Sequence, residues 1–197
     1  MLFLDFICVS LDQLIKNISE LELDGILNSF QCRYDKDIEV FLKYKSILFD
    51  SKAKGKTFLI FDKFSLENDK FDLLAYFTIA MKVFKFPDNI SNAKIRKLDG
   101  LYSKMGNQKI SEIPSFLIGQ LAKNDLFNSK IKGFEIIKQV TDLINVANSI
   151  VGGRTLIIEC QNNKKLIDFY HKCGFDFLQV DYSDSGGMVQ MVRLLGE

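Results

Sequence analysis

The chain has no tryptophan, only 2 prolines and a single histidine among its 197 residues. Its four cysteines are Cys8, Cys32, Cys160 and Cys173, and no two of them form a CxxC pair. A zinc site needs closely spaced Cys and His ligands, so the pattern predicts no metal and four reduced cysteines of a cytoplasmic protein. No stretch approaches the roughly 20 apolar residues of a membrane span. The apolar N-terminus lacks a basic start and contains Asp5, which argues against a signal peptide.

Apolar residues make up 47% of the sequence, and 18 of the residues are Phe. A substantial core can therefore form, and disorder is not expected. The length fits one domain over residues 1–197. The scarcity of proline beside abundant Lys, Ile, Asn and Phe suggests an AT-rich bacterial genome.

The net charge of +1 excludes no class of partner, but the charge is unevenly distributed. Residues 85–132 contain nine Lys or Arg against four Asp or Glu, a net charge of +5. Each flanking region is slightly acidic. Such a basic segment can receive phosphate groups, although a solvated lysine-rich loop remains the alternative.

Hydrophobic periodicity predicts alternating strands and helices. Expected strands are Lys56–Asp62, Asp72–Phe86, Ser115–Lys123, Arg154–Glu159, Phe175–Asp181 and Met188–Leu194. One helix is expected to be capped by Ser10, and further helices are expected over Asp37–Phe49, Gly133–Val151 and Asn163–Cys173. Pro87–Gln108 is predicted as a long loop that can contain a short helical turn. The two strands on either side of the SLENDK turn are expected to pair. The order predicts an α/β or α+β fold, with a mixed sheet flanked by helices.

The first segment that indicates a binding site is LAKNDLFNSKIKGFEII, residues 121–137. A strand leads through a polar loop into a helix that opens near Gly133, and Lys130 and Lys132 lie in the loop. The first turn of a helix presents free N–H groups and a positive dipole end, so it can bind phosphate.

This segment aligns without gaps on the acyl-CoA signature of the GNAT acyltransferases. The signature is a strand ending Leu-Ala followed by (Gln/Arg)-x-x-Gly-x-(Gly/Ala). Asn128 stands at the Gln/Arg position, Ile131 at the first Gly, and Gly133 at the last position. Asn128 and Ile131 depart from the signature, so a non-catalytic acyl-CoA-binding module stays open as an alternative.

A second segment, ECQNNKKLIDFYHKCGF over residues 159–175, resembles the closing GNAT motif. The matching residues are Asn163, Phe169, Tyr170, Gly174 and Phe175. In that family the tyrosine is the usual general acid for the departing thiolate of the coenzyme, so the resemblance implies that role for Tyr170. The alternative is a tyrosine packed on the sheet with its hydroxyl bonded to backbone.

The resemblance implies a GNAT-like sheet that is splayed between the strands near 115–123 and 154–160, with acetyl-CoA in the opening. The pantetheine arm would pair with the backbone at Leu121, Ala122 and Lys123. The pyrophosphate would reach the amides of the Ser129–Phe134 segment. The implied coenzyme contacts are Leu121, Ala122, Lys123, Asn128, Ser129, Lys130, Ile131, Lys132, Gly133, Phe134 and Asn163.

The N-terminal part resembles the toxin-type GNAT acetyltransferases of bacterial toxin–antitoxin pairs. The residues that carry this resemblance are Phe30, Cys32, Asp37, Phe41, Leu42, Thr57, Tyr76, Phe77 and Thr78. It implies that the acceptor is the amino group of aminoacyl-tRNA and that an antitoxin protein is a partner. A small-molecule or protein amine remains an alternative acceptor, and both monomer and homodimer stay open.

Overall fold

The computed structural model describes residues 5–182 and 187–196. Strands and helices alternate along the chain, as the sequence predicts. The strands are β1 (Phe6–Ser10), β2 (Lys56–Asp62), β3 (Leu73–Lys85), β4 (Lys104–Met105), β5 (Gln108–Lys109), β6 (Glu112–Lys123), β7 (Thr155–Gln161), β8 (Asp176–Asp181) and β9 (Met188–Leu194). The helices are α1 (Leu11–Asn17), α2 (Glu20–Ser29), α3 (Lys36–Val40), α4 (Ser46–Ser51), α5 (Lys63–Leu66), α6 (Asn92–Asp99), α7 (Gly133–Val151) and α8 (Lys164–Lys172).

Seven of the strands form one mixed sheet in the order β1-β2-β3-β6-β7-β9-β8. The β1–β2 and β2–β3 pairs are antiparallel, and β6 and β7 are parallel. The parallel ladder joins Phe116–Ile118 to Leu156–Ile158, and β6 then continues to Lys123. These features confirm the predicted fold class, including the predicted pairing of β2 with β3.

The chain divides into two compact units. The first unit comprises Met1–Ala80 and Gly119–Val140, and the second comprises Met81–Ile118 and Thr141–Glu197. The single domain expected over residues 1–197 stays a prediction. None of the helices in the two described ranges is long and apolar enough to cross a membrane.

The N-terminal helices of the first unit are fixed by their caps. The Ser10 hydroxyl accepts from the backbone of Gln13, whose side chain in turn accepts from the backbone of Ser10, so the predicted capping box is present. A second capping box joins Ser19 and Glu22 and starts α2, which is not among the expected helices. The buried residues Leu23, Ile26 and Leu27 have helical spacing, so the sequence does contain a signal for α2.

The residues that resemble the toxin-type acetyltransferases lie mostly in the core of the first unit. Tyr76 and Phe30 are fully buried, and their rings meet edge-on at 5.0 Å. The Tyr76 hydroxyl donates to the carbonyl of Ile38 at 2.5 Å. Leu42 and Phe77 are also fully buried. These positions therefore stabilise the packing of the first unit.

The helix predicted over Asp37–Phe49 is present, but Phe41–Lys45 forms a wider π-helical turn between α3 and α4. Leu42, Ser46 and Asp50, which are spaced four residues apart, are buried. The Asp50 carboxylate accepts from the backbone N–H of Thr57 at 3.0 Å, which attaches this helix to β2.

In the second unit, the long loop predicted over Pro87–Gln108 contains α6, an eight-residue helix that is longer than the short helical turn allowed for there. The Ser91 hydroxyl accepts from the Lys94 N–H and caps the helix, which ends at Gly100 with a φ of 92°. Its apolar residues Ile95 and Leu98 are buried. Two apolar residues in a lysine-rich segment are too few to indicate a helical period.

The predicted bounds of α7, β2 and β9 agree with the structure. β6 begins at Glu112, earlier than predicted, and α8 covers Lys164–Lys172 within its predicted range. Most of the turn predicted between the last two strands, at residues 183–187, lies outside the described residues.

Candidate active site

In the first unit, a short polar loop joins β6 to α7, as the sequence predicts. It contains a 3-10 turn over Asp125–Phe127, and the N–H of Lys130 then donates to the carbonyl of Phe127 at 3.0 Å. α7 follows from Gly133. The N–H groups of Gly133 and Phe134 lie in its first turn, where no intrahelical acceptor exists. We call residues 124–132 the β6–α7 loop.

Lys123, at the end of β6, supports this loop from within. Its ammonium lies 2.9 Å from the carbonyl oxygen of Asn128 and 3.4 Å from that of Ile131. Both carbonyls therefore point at the lysine. In the structure, the Lys123 ammonium contacts the loop itself. A direct contact between Lys123 and a coenzyme stays a prediction.

Ile131 occupies the position where the GNAT signature has its first glycine, and its side chain is only 1% exposed. Among the described residues, the non-glycine positions with positive φ are Ala53 and Asp69. The backbone at Ile131 therefore avoids the left-handed region, and an L-residue is tolerated there. The side chain anchors the loop to the interior.

The two loop lysines differ in how firmly they are held. The Lys130 ammonium lies 3.0 Å from an Asp62 oxygen and 3.6 Å from an Asp72 oxygen, and the hydrogen bond to Asp62 raises its pKa. The Lys132 ammonium lies 5.9 Å above the ring of Phe134. Lys132 is thus the more available cation beside the first turn of α7.

The other predicted contacts of this segment are placed as follows. Ala122 is buried, whereas Leu121 is half-buried. Asn128 and Ser129 are exposed in the β6–α7 loop, and the Asn128 amide donates to Asp125 at 3.2 Å. Their contacts with a coenzyme stay predictions.

Asn124 is a positioning residue that the sequence did not single out. It is fully buried, and its side-chain oxygen accepts from the N–H groups of Gln31 and Leu126, each at 3.2 Å. Its side-chain nitrogen donates to the carbonyl of Leu73 at 2.9 Å. One amide thus joins the β6–α7 loop to β3 and to the end of α2. An Asn-Asp pair after an apolar strand is a turn signal, but it does not reveal distant partners.

Asp125 forms a second connection between the same segments. Its carboxylate accepts from the Arg33 backbone N–H at 2.8 Å and from the Arg33 side-chain Nε at 3.2 Å. These bonds, the backbone bond first, lower the pKa of Asp125. The Asp125 N–H donates in turn to the carbonyl of Gln31 at 2.9 Å. The start of the β6–α7 loop is therefore fixed by hydrogen bonds across 92 residues of sequence.

In the second unit, Tyr170 on α8 is 6% exposed, and its ring centroid lies 6.0 Å from that of Phe175. Within residues 5–182 and 187–196, its hydroxyl has no hydrogen-bond partner, in contrast to the hydroxyl of Tyr76. No side-chain polar atom of this part of the chain is both fully buried and unpartnered. The Tyr170 hydroxyl therefore reaches accessible space. Burial raises the pKa of Tyr170, so the phenol keeps its proton at neutral pH.

Asn163 is the N-cap of α8, and its side-chain oxygen accepts from the N–H of Lys165 at 2.9 Å. This bond satisfies one of the free N–H groups at the start of the helix. Asn163 therefore fixes the beginning of the helix that carries Tyr170. A contact between Asn163 and a coenzyme stays a prediction.

His171 and the cysteines do not form a nucleophilic site. His171 is exposed on α8 next to Tyr170. Burial raises the pKa of the Cys8 thiol to about 12. Burial also raises the pKa of the thiols of Cys32, Cys160 and Cys173. Because the thiolate is the nucleophile, these thiols are weakly reactive. Within the described chain, no group of three or more His, Cys, Asp or Glu side chains is arranged to hold a metal ion.

The seven-stranded mixed sheet with flanking helices is the fold of GNAT-type toxin acetyltransferases. The toxin AtaT in complex with acetyl-methionyl-tRNAfMet has 17% sequence identity and a TM-score of 0.67, over 94% of both chains. A Tyr-to-Phe variant of KacT has 17% identity and a TM-score of 0.69, over 97% of this chain and 95% of that one. A Tyr-to-Phe variant of AtaT, bound to acetyl-CoA and to the C-terminus of the antitoxin AtaR, has 15% identity and a TM-score of 0.63, over 97% and 94%. No family model matches the sequence, and no curated protein matches it significantly.

Proposed function

We propose that the protein is an N-acetyltransferase that transfers an acetyl group from acetyl-CoA to a primary amine, with Tyr170 as the proton donor. The observation that carries the proposal is the Tyr170 hydroxyl, which is held in a buried side chain and has no hydrogen-bond partner in the described chain. The Tyr76 hydroxyl is occupied by the Ile38 carbonyl, whereas the Tyr170 hydroxyl is left available to donate to a ligand.

The β6–α7 loop supplies the features that a pyrophosphate needs. The free N–H groups of Gly133 and Phe134 and the positive end of the α7 dipole favour an anion there. Lys132 adds a positive charge beside them, while Lys130 is paired with Asp62. Because Lys123 and Ile131 hold the loop from inside, its exposed side is preformed.

In the reaction, the amine nitrogen attacks the thioester carbonyl, and the carbon–sulfur bond breaks. The departing thiolate takes the proton of the Tyr170 phenol, which is protonated at neutral pH. The amine loses a proton to water, and a proton from water returns to the Tyr170 phenolate, so the protein is restored for the next turnover. Holding both substrates side by side supplies much of the rate.

For the acceptor, we propose the amino group of aminoacyl-tRNA in the cytoplasm, with an antitoxin protein as a partner. Support comes from the similarity in fold to AtaT, whose structures contain acetyl-methionyl-tRNAfMet in one case and the antitoxin AtaR in another. The basic segment 85–132 also fits a phosphate-rich partner, since Arg96 and Lys97 are exposed on α6.

The test is transfer of labelled acetyl groups from acetyl-CoA to charged tRNA, with uncharged tRNA and a panel of small amines and peptides in parallel. We expect label on charged tRNA only, and none with Tyr170→Phe. Label on a small amine or peptide would support the proposed acetyltransferase activity but identify a different acceptor. Binding of acetyl-CoA without transfer to any amine would instead support an acyl-CoA-binding module.

A further inference from the structure

A surface cavity of the first unit borders the start of the β6–α7 loop. It has a volume of about 440 Å³. It lies beside the segment Gln31–Asp35 that joins α2 to α3, and we call this segment the α2–α3 loop. The residues that line the cavity are Gln31, Arg33, Lys36, Glu39, Lys43, Asp125 and Leu126.

Cations outnumber carboxylates in this lining. The cations are Arg33, Lys36 and Lys43, and the carboxylates are Glu39 and Asp125. The Glu39 carboxylate forms ion pairs with both lysine ammonium groups, at 2.9 Å from that of Lys36 and 2.8 Å from that of Lys43. Each ammonium has three N–H donors, so each keeps donors for a further acceptor. The Arg33 guanidinium bonds Asp125 through Nε, which leaves its terminal N–H groups for a ligand. The cavity thus offers several donors and a net positive charge to an anion.

An exposed aromatic ring stands next to these donors. Tyr34 is 83% exposed, and the Arg33 guanidinium lies 5.7 Å from its ring centroid. An arginine on one face leaves the other face of the ring open for stacking. Exposed aromatic rings beside cations are the usual recognition elements for single-stranded nucleic acids, in which bases stack and phosphates pair with Lys or Arg.

The backbone of the α2–α3 loop is held by hydrogen bonds up to Arg33, the residue before Tyr34. The Gln31 N–H donates to Asn124, and the Arg33 N–H donates to Asp125. The Cys32 N–H donates to the Glu39 carboxylate at 2.9 Å. Three consecutive backbone N–H groups are therefore bonded to side chains, so little ordering is needed when a ligand binds.

We infer that this cavity binds the single-stranded 3′ end of an RNA acceptor. A base stacks on the open face of Tyr34, and the adjoining phosphates pair with Arg33, Lys36 and Lys43. The inference rests on the proposed function, in which charged tRNA is the acceptor, and it names the residues that hold the end of that RNA. An acidic peptide would use the cations but would have no need of the ring, so the role of Tyr34 separates the two ligands.

The experiment measures the affinity of the full-length chain for a short 5′-fluorescent single-stranded RNA by anisotropy. Tyr34→Ala should weaken binding roughly 5- to 150-fold, the range for loss of one base–aromatic stack. Tyr34→Phe should bind like the wild type, because the ring is kept. Tyr182→Ala is the matched control, since Tyr182 is also exposed, at 77%, but belongs neither to the α2–α3 loop nor to the basic segment 85–132. A melting curve with acetyl-CoA checks that each variant retains its fold.

Equal affinity of Tyr34→Ala and wild type would overturn the inference, as would failure of the wild type to bind the RNA at all. The same variants in the acetyl-transfer assay separate this inference from the proposed function. If Tyr34→Ala transfers acetyl groups to charged tRNA with an unchanged KM for the tRNA, only the role of the cavity is rejected. The opposite result is RNA binding that depends on Tyr34 in a protein that transfers no acetyl group to charged tRNA. It would support RNA binding at the cavity and reject only charged tRNA as the acceptor.

Discussion

The side-chain oxygen of Asn124 accepts a hydrogen bond from the backbone N–H of Gln31, which is 3.2 Å away. Asn124 also bonds the Leu126 N–H and the Leu73 carbonyl. This single buried amide therefore joins the end of α2, the β6–α7 loop and β3.

Asn124→Ala should leave buried N–H and C=O groups without partners. We expect the free energy of unfolding to fall by about 1–3 kcal/mol in urea titrations, because each orphaned buried group costs its desolvation. The affinity for acetyl-CoA, measured by calorimetry, should fall as well, since the β6–α7 loop loses its support. Asn68→Ala is the control, because its amide is exposed and bonds only the Phe64 carbonyl. Equal losses in the two variants would remove the positioning role.

Gly133→Val should weaken acetyl-CoA binding by about tenfold or more, because a branched side chain at the start of α7 blocks the approach of a pyrophosphate to the backbone. Thermal shift and calorimetry with acetyl-CoA measure this. Gly25→Ala is a matched control on α2, where an added methyl group meets no atom within 4 Å. Unchanged affinity in Gly133→Val would place the pyrophosphate elsewhere.

Tyr170→Phe should lower kcat by ~10²-fold or more and change acetyl-CoA affinity little, because the phenol acts only when the thiolate departs. Since burial raises the pKa of Tyr170, the wild-type kcat should show no decline from loss of this proton below pH ~10, the ordinary tyrosine pKa.

Tyr76→Phe provides the comparison for Tyr170→Phe. It removes a buried hydrogen bond to Ile38 and should lower stability without lowering the turnover of the folded protein. A turnover in Tyr170→Phe that matches that of Tyr76→Phe would reduce Tyr170 to a packing role.

Glu39 should make the first unit sensitive to acid. Its pKa is lowered to about 2 by the Cys32 N–H first and by Lys43 and Lys36 next. A lowered pKa in the folded state means that the stabilisation is complete above the ordinary value of 4.5 and is lost as the pH falls through about 2. Urea titrations of the wild type between these pH values should show falling stability, and Glu39→Gln should show a smaller fall. Glu67→Gln, which removes an exposed carboxylate, should behave as the wild type.

Charge reversal at Arg96 and Lys97 should weaken the binding of charged tRNA and leave acetyl-CoA binding intact. These side chains are exposed on α6, whereas the Lys94 ammonium bonds the Phe177 carbonyl at 3.1 Å and also supports the fold. The slope of log affinity against log salt should decrease by roughly 1–2, since each lost phosphate contact removes about one unit. The reversed pair Lys52 and Lys54 in the first unit is the control. An unchanged slope would exclude α6 from the RNA interface.

The sequence predicts best where the hydrophobic pattern is long. The apolar stripe of α7 extends over nineteen residues, and its bounds could be predicted from Gly133 to Val151. The eight residues of α6 contain only two buried apolar side chains, too few for a period to emerge. α2 was not predicted either, although the Ser19–Glu22 capping box and the spacing of its buried residues indicate a helix.

The site could be predicted in part. The segments around Gly133 and Tyr170 are local in sequence, so motif and spacing indicate them. The bonds that support the β6–α7 loop are not local, because Asn124 and Asp125 bond residues more than 90 positions away. Such partners are determined by tertiary structure, and a pattern within one segment does not contain them.

The weakly reactive thiols have a practical consequence for detecting turnover. Acetyl transfer releases coenzyme with a free, solvent-exposed thiol, and a chromogenic disulfide reagent reacts with thiolates. The protein's own cysteines all have raised pKa values through burial, Cys8 most clearly. Near neutral pH, the colour should therefore follow the released product, with the folded protein adding only a slow background. The same assay would show unfolding as a burst of additional colour, so one reagent can report both catalysis and loss of structure.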